Sequence, residues 1–549
     1  MKLHANVCSQ WEWTKLRQLL VIVLLGLGIV STYGQTKTVS GIVKSESGGE
    51  PLVGATVKVK ETNTGGITDI DGRYTIQANL GQTLIVSYIG YRTKEVKVER
   101  TIRIDILLQE DNEMLDEVVV VGYGTMKRSD LTGSVVSVTG DELKKSVVTS
   151  LDQALQGRAA GVQVTQNSGT PGGGISVSIR GINSLNGNEP LYVIDGVAIS
   201  GNNTSNSSVL SSINPADIVS MEVLKDASAT AIYGSRGANG VVMITTKRGT
   251  EGKGKLAVSA NYSFQNATNV PSLLNAAQYA ELSNDMMVNS GRNPNPEWAN
   301  PSELGAGTDW MDELLRTGVM QNYTVSYSGG NEKSHYYVSG GFLDQSGIVK
   351  SVNYRRFTFQ SNSDAQVLKW LKFSNNITFS ADTKKSGSYN IGDALKALPI
   401  YPVKNEDGSW SGPDGNSEWY GSTRNPIGPT ELNKSQTDGY NFLANLTAEL
   451  TFTKWLKFKS TFGYDAKFWF IDNFTPKYNW KPTPTEETSR YKSDNKSFTY
   501  LWDNYFLFDH TFAEKHRVGL MAGMSAQWNT NDYLNAQKNV FMFDNVHEM

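Results

Sequence analysis

Residues that commonly carry catalysis are sparse in this sequence and do not form recognised patterns. None of the five histidines stands in the H-E-x-x-H arrangement of zinc peptidases, and Ser235 lies in Gly234-Ser235-Arg236-Gly237 rather than in the G-x-S-x-G turn of serine hydrolases. The run Pro171-Gly172-Gly173-Gly174 lacks the Lys and Ser/Thr of a phosphate-binding loop, which favours a tight turn. We therefore expect that the protein is not an enzyme.

Candidate metal ligands are equally few. Asp69 and Asp71 stand close together before Gly72, but a calcium loop would need more oxygen ligands, so we interpret them as part of a hairpin turn. Cys8 is the only cysteine, and it precedes an apolar run that we interpret as a signal peptide. The mature chain would then have no thiol for a disulfide, a zinc-thiolate site or a lipid anchor. We expect no metal and no cofactor.

The N-terminus has the features of a secretory signal peptide. Lys15 and Arg17 precede an apolar run at residues 19–30, and small residues follow near Gly34. We expect residues 1–34 to be removed and the protein to be exported. The apolar run is too short to span a bilayer as a helix, and no later stretch approaches the ~18 apolar residues that a spanning helix needs.

Charge and composition narrow the class of protein. The 51 Lys and Arg against 54 Asp and Glu give a formal net charge of -3, without the basic excess of a nucleic-acid-binding protein, so we expect no nucleic-acid partner. The 52 Gly and only 16 Pro indicate many tight turns. The 24 Tyr and 12 Trp fit the aromatic girdles of a membrane β-barrel and, equally, a Tyr-rich soluble β-protein.

Residues 36–110 alternate apolar and polar side chains in short runs separated by glycine-rich turns, which predicts a small β-sandwich. We expect five strands, at residues 39–43, 55–59, 72–76, 83–87 and 102–107. Three stretches resemble the carboxypeptidase regulatory-like domain, a name for a fold that implies no peptidase activity: Gly41-Ile42-Val43, Pro51-Leu52-Val53-Gly54-Ala55 and Thr68-Asp69-Ile70-Asp71-Gly72-Arg73-Tyr74.

Four consecutive valines, residues 118–121, follow an acidic connector at residues 109–116 and end at Gly122. Consecutive β-branched residues favour an extended backbone, and a strand beside a flexible connector can pair with the sheet edge of a partner protein. From spacing alone, an ordinary buried strand of the next domain is an equally good interpretation. We assign residues 111–124 to a linker that contains this strand.

Residues 125–250 contain a dense series of motifs. Their periodicity predicts a small mixed α/β domain, with a short amphipathic helix at 151–162, strands at 175–179 and 241–246, and a helix at 227–233. Together with the valine segment, five stretches resemble the plug of the SusC/RagA family of TonB-linked outer-membrane transporters: Leu155-Gln156-Gly157-Arg158, Ile179-Arg180-Gly181, Pro190-Leu191-Tyr192-Val193-Ile194-Asp195-Gly196, Glu222-Val223-Leu224-Lys225-Asp226 and Tyr233-Gly234-Ser235-Arg236-Gly237-Ala238-Asn239-Gly240.

The resemblance assigns roles to residues. It implies that TonB, driven by ExbB and ExbD, binds the segment made of Asp116, Glu117, Val118, Val119, Val120, Val121 and Gly122. The plug motif that it identifies comprises Arg180, Gly181, Asp195, Gly196, Glu222, Lys225, Asp226, Tyr233, Gly234, Arg236 and Gly240. We expect the charged members of this motif to form structural pairs within the plug or with a barrel wall, rather than to contact substrate. Substrate-binding residues remain unassigned.

Residues 251–549 repeat segments of about ten residues in which apolar and polar side chains alternate, as in a transmembrane β-barrel. Side chains such as Leu256 and Phe442 would face lipid, and Ser259 and Asn445 would face the lumen. Short and long connections alternate, as expected of periplasmic turns and outer loops. We expect nine strands, near residues 255–264, 320–329, 335–344, 352–362, 370–380, 441–452, 455–465, 498–510 and 516–528.

Nine strands would not close into a barrel with an even number of strands, and an open edge would leave unpaired backbone groups in lipid. We therefore expect the chain to be an incomplete portion of a longer transporter. The weaker alternative is that another chain supplies the remaining strands of the barrel. The expected fold class is mainly β: a small β-sandwich, an α/β plug and the first strands of a 22-stranded transmembrane β-barrel.

The resemblance implies TonB-dependent import of nutrient oligomers through the outer membrane of a Gram-negative bacterium, with the plug and the N-terminal domain on the periplasmic side. It also implies a SusD-like surface lipoprotein as a lid. We expect oligosaccharides as the substrate, with peptides as the alternative within the family and a siderophore or cobalamin as the runner-up class. Tyr401, Trp410, Trp419 and Tyr420 offer aromatic faces for sugar rings, although loop packing or contact with the lipoprotein explains them as well.

Overall fold

The computed structural model describes residues 37–541, apart from residues 47, 61, 63, 89–90, 100–102, 110–117, 122–123, 128–133, 145–147, 167, 183, 185–186, 200–208, 414–418, 479–483 and 514. The expected signal peptide lies outside the described residues. The chain folds as two units that divide between Glu117 and Val118. Within the described ranges, no helix has the length and apolar character needed to cross a membrane.

The first unit is a β-sandwich, as predicted. Its sheets have the strand orders β4-β1-β7 and β3-β2-β5-β6, and their inner faces bury a core that includes Val39, Val57, Leu84 and Ile106. Two short strands, β3 and β6, were not expected. The strands are β1 (Lys37–Ser45), β2 (Thr56–Val59), β3 (Gly65–Ile67), β4 (Arg73–Ala78), β5 (Thr83–Ser87), β6 (Lys94–Lys97) and β7 (Ile106–Leu108).

The acidic pair of the first unit forms a turn. The Asp69 carboxylate accepts hydrogen bonds from the backbone N–H groups of Asp71 (3.0 Å) and Arg73 (2.8 Å), which closes the loop that leads into β4. The prediction of a turn is confirmed, but the prediction of a hairpin is wrong, because the strands that this turn joins, β3 and β4, belong to different sheets. The described residues contain no group of three or more His, Cys, Asp or Glu side chains placed to hold a metal ion.

The second unit begins with a hairpin and a mixed α/β domain, here called the plug. A five-stranded sheet of order β10-β15-β16-β13-β14 forms its centre, and β11 pairs with β12 beside it. Its elements are β8 (Val118–Val121), β9 (Gly124–Lys127), β10 (Val135–Thr139), α1 (Gly140–Lys144), α2 (Leu151–Ala154), β11 (Val162–Gln166), β12 (Ile175–Ile179), β13 (Leu191–Ile194), β14 (Val197–Ile199), β15 (Ile218–Leu224), α3 (Ala227–Thr230) and β16 (Val241–Thr246).

The two helices expected in the plug are shorter than predicted. Ser150 caps α2 by accepting a hydrogen bond from the Gln153 backbone N–H, but the helix ends at Ala154, and the left-handed Gly157 soon follows. The second helix, α3, continues as a tighter 3-10 helix that is broken at Gly234, where φ is +59°. Periodicity alone predicts apolar faces and not these early endings.

Nine antiparallel strands follow the plug in chain order and form one curved sheet, here called the wall. All nine expected strands are present, and the last four are the longest, at 20 to 24 residues. The strands are β17 (Gly252–Gln265), β18 (Gly318–Asn331), β19 (Ser334–Ser346), β20 (Asn353–Leu368), β21 (Leu371–Lys385), β22 (Lys434–Thr453), β23 (Leu456–Thr475), β24 (Ser489–Phe512) and β25 (His516–Asn539).

The connections alternate in length, as expected. Turns at residues 332–333, 369–370, 454–455 and 513–515 lie at one end of the wall, and the connections at 266–317, 347–352, 386–433 and 476–488 lie at the other. The two longest pack together through a small apolar core around Trp310, Leu314, Ala394 and Ile427. Their helices are α4 (Ala276–Asn289), α5 (Trp310–Leu314), α6 (Ile391–Lys396) and α7 (Ile427–Leu432).

Candidate functional site

The plug lies against the inner face of the wall, and the wall contributes mainly polar side chains to this contact. On β20, alternate residues such as Gln360 and Asn362 are buried while Phe357 and Phe359 point outward and stay exposed. This is the predicted division between a polar lumen and an apolar outer face. Other inward residues buried in the same way are Ser339, Arg356, Thr358, Asn376, Thr378, Ser380, Asn445 and Thr461.

Asp195 of the plug motif joins two plug strands to the wall. It stands directly after β13 with φ at +48°, and its carboxylate accepts hydrogen bonds from Thr246 through the backbone N–H (3.1 Å) and the hydroxyl (2.6 Å). The wall residue Asn376 donates a third bond, with 3.0 Å between Nδ2 and Oδ2. Asn362 then donates to the Thr246 hydroxyl at 2.8 Å and to the Lys247 carbonyl at 2.7 Å. These bonds fix the end of the plug sheet against β20 and β21.

A second group of contacts joins the plug to β18, β19 and β20. The Tyr337 hydroxyl donates to the Asp217 carboxylate at 2.7 Å, and Asn214 donates to the Thr324 hydroxyl at 3.0 Å. The Arg356 guanidinium donates to the Ser211 carbonyl at 2.6 Å. Burial raises the pKa of Asp217, against the opposing effects of its hydrogen bonds and of nearby Lys247 and Arg356. Because the Asp217 carboxylate is buried at this boundary, loss of any of its hydrogen-bond donors would weaken the contact between plug and wall.

The remaining charged residues of the motif also make structural contacts. Arg180 forms an ion pair with Asp226, which also accepts a hydrogen bond from the Ser134 backbone N–H. This backbone bond, followed by the Arg180 contact, lowers the pKa of Asp226. Lys225 donates to the Ala160 carbonyl, and Arg236 donates to Gln527 on β25. Arg236 therefore links the plug to the far strand of the described wall.

The other members of the motif lie within the plug, and several of them shape its backbone. Gly240 has φ at +92°, and a Cβ there would stand 2.7 Å from the Ile179 side chain, so only glycine fits without displacement. Tyr233 is buried, with its hydroxyl 3.9 Å from the Met243 sulfur, and Glu222 is buried within β15. Three more motif glycines adopt positive φ: Gly181, Gly196 and Gly234.

The sequence did not identify the wall residues that bond to the plug. Tyr337, Asn362, Asn376 and Gln527 all bond to plug residues, yet none belongs to a motif. Only their positions in the strands could have indicated them, because each stands at an inward position of its strand, among other polar residues. Register gives the face, but it cannot tell which inward residues meet the plug.

Two inward amides lie at the plug–wall boundary without a hydrogen-bond partner among the described residues. Both side-chain polar atoms of Gln360 and both of Asn445 are buried and unsatisfied in this way. A buried unsatisfied amide costs roughly 1–3 kcal/mol. The boundary is therefore polar but not tightly bonded at every position.

The valine segment forms a hairpin. Val118–Val121 pairs antiparallel with Gly124–Lys127, and Val120 stands opposite Thr125. The strand does not join the five-stranded plug sheet, which argues against the interpretation as an ordinary strand of the next domain. Asp116, Glu117 and Gly122 lie outside the described residues.

The aromatic residues of the long loops pack mainly against one another. The Tyr420 ring lies 5.4 Å from that of Trp298 and 5.8 Å from that of Tyr401, between ring centroids. Trp419 donates its indole N–H to the Asn293 carbonyl at 3.2 Å, and Trp410 lies under the Lys404 ammonium group at 4.4 Å. Loop packing therefore accounts for these side chains, as the sequence interpretation allowed.

Comparisons with known proteins agree with this architecture. Residues 39–120 match the CarboxypepD_reg-like domain, and residues 127–241 match the TonB-dependent Receptor Plug Domain. TonB-dependent receptor P26 of Formosa agariphila is 43% identical over 434 residues, 78% of this chain and 42% of the relative. TonB-dependent receptor SusC of Bacteroides thetaiotaomicron is 39% identical over 465 residues, 79% of this chain and 45% of the relative.

Among solved structures, the RagAB peptide importer in its open-open state is similar at a TM-score of 0.67 and 26% identity, covering 79% of this chain and 51% of that one. The chain spans about half the length of the curated relatives it matches. The two domain matches, the SusC relative and the RagAB likeness agree with the plug, the sandwich and the nine-stranded wall described above. The chain belongs to the SusC/RagA family of TonB-linked outer-membrane proteins.

Proposed function

We propose that the protein to which this chain belongs imports nutrient oligomers across the outer membrane, and that TonB supplies the energy by pulling on the valine segment. The observation that carries the proposal is the boundary between plug and wall. It includes individual hydrogen bonds, such as Asn376 to Asp195 and Tyr337 to Asp217, and buried amides that have no hydrogen-bond partner among the described residues. Such a boundary holds the plug in place while allowing bonds to break one after another under force.

The position of the valine segment supports the same proposal. The hairpin of β8 and β9 leaves one edge of β8 without a strand partner in the described part of the chain. An unpaired strand edge is a suitable surface for β-augmentation by TonB. We assign the contact to residues 116–122.

The proposed domain organisation follows from this assignment. It comprises a signal peptide at 1–34, a regulatory-like β-sandwich at 36–110, a linker with the TonB-binding segment at 111–124, a plug at 125–250 and part of a transmembrane barrel from 251. The sandwich and the plug would lie on the periplasmic side, with ExbB and ExbD driving TonB from the inner membrane. The exposed aromatic and aliphatic side chains on the outer face of the wall would contact lipid, among them Phe357, Phe359, Trp502 and Phe506.

We propose oligosaccharides as the cargo and a SusD-like surface lipoprotein as the lid over the long loops. The family resemblance, which the SusC relative shares, supports this choice. Peptides are the second candidate because the similar RagAB structure is described as a peptide importer. Growth on single purified glycans or peptides, with and without the complete gene, separates the two.

The TonB contact is tested in the full-length protein. Deleting residues 117–121 should abolish uptake while substrate still binds at the cell surface, because the plug can no longer be pulled. Val120→Pro should have the same effect, since proline removes a backbone donor from the strand. Thr125, the cross-strand partner of Val120, provides the matched control. Thr125→Pro disturbs the same hairpin but leaves the valine segment intact, so this variant should retain uptake. Unchanged uptake in the deletion variant would refute TonB-dependent transport through this segment.

A further inference from the structure

A cavity of about 350 Å³ lies between the plug and the first two strands of the wall. The plug side includes Asn214, Pro215 and Lys247, and the wall side is formed by the inner faces of β17 and β18. Its volume falls at the lower end of the range typical of small-molecule sites, which is roughly 300–1,000 Å³. We propose that this cavity is a transit site for a saccharide unit of the cargo as it passes between plug and wall, an inference that rests on the proposed import function.

The wall side of the cavity carries a ladder of mainly polar side chains. Three cross-strand pairs follow one another along β17 and β18, at alternate positions and on the same face: Asn261 with Asn322, Ser259 with Thr324, and Ala257 with Ser326. Successive pairs are separated by about 6.6–6.8 Å along the strands. The ladder therefore runs along the wall in the direction in which cargo must move.

The chemistry of the ladder matches hydroxyl groups. Side-chain amides and hydroxyls both donate and accept hydrogen bonds, as sugar hydroxyls do. The Asn261 and Asn322 amides have no hydrogen-bond partner among the described residues, so they are available to a guest. By contrast, Asn214 on the plug side is already bonded to Thr324 at 3.0 Å. Two adjacent amides would recognise neighbouring hydroxyls of one sugar ring.

The charge of the cavity disfavours a cationic guest. Lys247 is the only charged residue that lines it within the described chain. Its ammonium group donates to the Ala216 carbonyl at 2.5 Å, and its charge also acts on Asp217. Lys247 therefore leaves one positive charge beside the cavity, and no carboxylate lines the cavity within the described chain to pair with an amine.

The first experiment blocks the cavity in the full-length protein, produced in cells that lack the native copy. Ser259→Phe places a large ring in the cavity, and the double variant Asn261→Leu/Asn322→Leu removes the amides of the ladder. Ala260→Phe is the matched control, because it places the same ring on the neighbouring, outward-facing position of β17. Uptake of radiolabelled neutral gluco- and xylo-oligosaccharides is compared with their binding to de-energised cells. We expect both ladder variants to lose about tenfold or more in uptake rate with surface binding within about twofold, and the control to match wild type.

The second experiment detects occupancy directly and does not depend on transport. Asn322→Cys is introduced into full-length protein in which every native cysteine has been replaced by serine, so that it gives a single reporter thiol. We expect the same oligosaccharides to slow its labelling by a small thiol reagent in detergent-solubilised full-length protein, and not to slow labelling of Ala260→Cys. Equal labelling with and without sugar would overturn the transit site.

The outcomes separate this inference from the proposed function. If wild-type protein imports the oligosaccharides and both ladder variants import them equally fast at normal outer-membrane levels, the transit site is wrong and the import function stands. If wild type imports tryptic peptides and no oligosaccharide, the saccharide assignment is overturned. If wild type imports neither class, the proposed function fails and the transit site fails with it.

Discussion

The hydroxyl of Tyr337 on the wall donates a 2.7 Å hydrogen bond to the carboxylate of Asp217 in the plug, and both side chains are buried. Tyr337→Phe removes this donor and leaves a buried carboxylate with fewer bonds. We expect the plug to be held less firmly by roughly 1–3 kcal/mol. Pulse proteolysis of the full-length protein in urea, followed through plug fragments, measures the change.

The adjacent residue supplies the control for this prediction. Tyr336→Phe also deletes a tyrosine hydroxyl from β19, but Tyr336 points to the outer face and is partly exposed. It should leave plug release unchanged. Equal sensitivity of the two variants to protease would show that the Asp217 contact does not hold the plug.

The unsatisfied amides of the boundary predict the opposite effect. Asn445→Leu and Gln360→Leu each remove a buried amide that has no partner among the described residues, so the plug should be retained more firmly by up to roughly 1–3 kcal/mol. Uptake should slow, because more work is needed to move the plug. The contrasting variant is Asn376→Leu, which loses a real bond to Asp195 and should release the plug more readily. Faster plug release in Asn445→Leu would contradict this interpretation.

Asp152 gives the plug a dependence on pH. Burial raises its pKa from 3.8 to about 7, with a further contribution from the charge of Glu189, while the 3.1 Å hydrogen bond from the Tyr192 hydroxyl acts in the other direction. The folded plug thus favours the protonated acid, and the stability associated with it is complete below pH ~4 and is lost as pH rises through ~7. From this group alone, the free energy of unfolding should be roughly 2–3 kcal/mol lower at pH 8 than at pH 5.

Asp152→Asn tests the assignment. The amide can still accept a hydrogen bond from Tyr192 and has no charge to lose, so the variant should be more stable than wild type at pH 8 and show a flatter pH profile. Pulse proteolysis at both pH values provides the measurement. Parallel losses of stability in wild type and variant would assign the pH dependence to another group.

Much of this fold could be predicted because its strands carry a strict period of two. Phe357 and Phe359 point out while Gln360 and Asn362 point in, and the same alternation placed all nine wall strands. The sequence could not predict which inward residues meet the plug, since Asn376 and Asn445 look alike in the pattern but only Asn376 reaches a plug carboxylate. That distinction arises from contacts between residues 181 positions apart in the chain.

The local sequence pattern also could not predict how long the plug helix is or which segment pairs with the valine segment. The apolar spacing after Leu151 is helical, yet left-handed glycines end the helix within one turn. Similarly, four valines predict a strand but not its partner, and the short segment Gly124–Lys127 has little strand character of its own. For the plug helix, turn geometry decided between structures that the side-chain pattern left open.

The plug loop at Gly172 makes a close approach to the wall that only glycine permits. Gly172 has φ at +67°, and a Cβ there would stand 2.4 Å from the Tyr354 ring, which is itself buried. Gly157 has a nearly identical φ of +73° with open space around it. Alanine at either position carries the left-handed backbone cost of roughly 1–2 kcal/mol, but only Gly172→Ala must also displace a wall side chain.

We therefore expect Gly172→Ala to weaken plug retention by at least about 1 kcal/mol more than Gly157→Ala in the same proteolysis assay. Adding Tyr354→Ala should remove that excess, because the ring that opposes the new methyl group is gone, and the double-mutant cycle should show coupling of similar size. The steric origin would be excluded if the two alanine variants were equally stable, or if Tyr354→Ala failed to relieve the excess. A positive result would identify the contact between Gly172 and Tyr354 as a point at which a movement of the wall near the long loops would displace the plug.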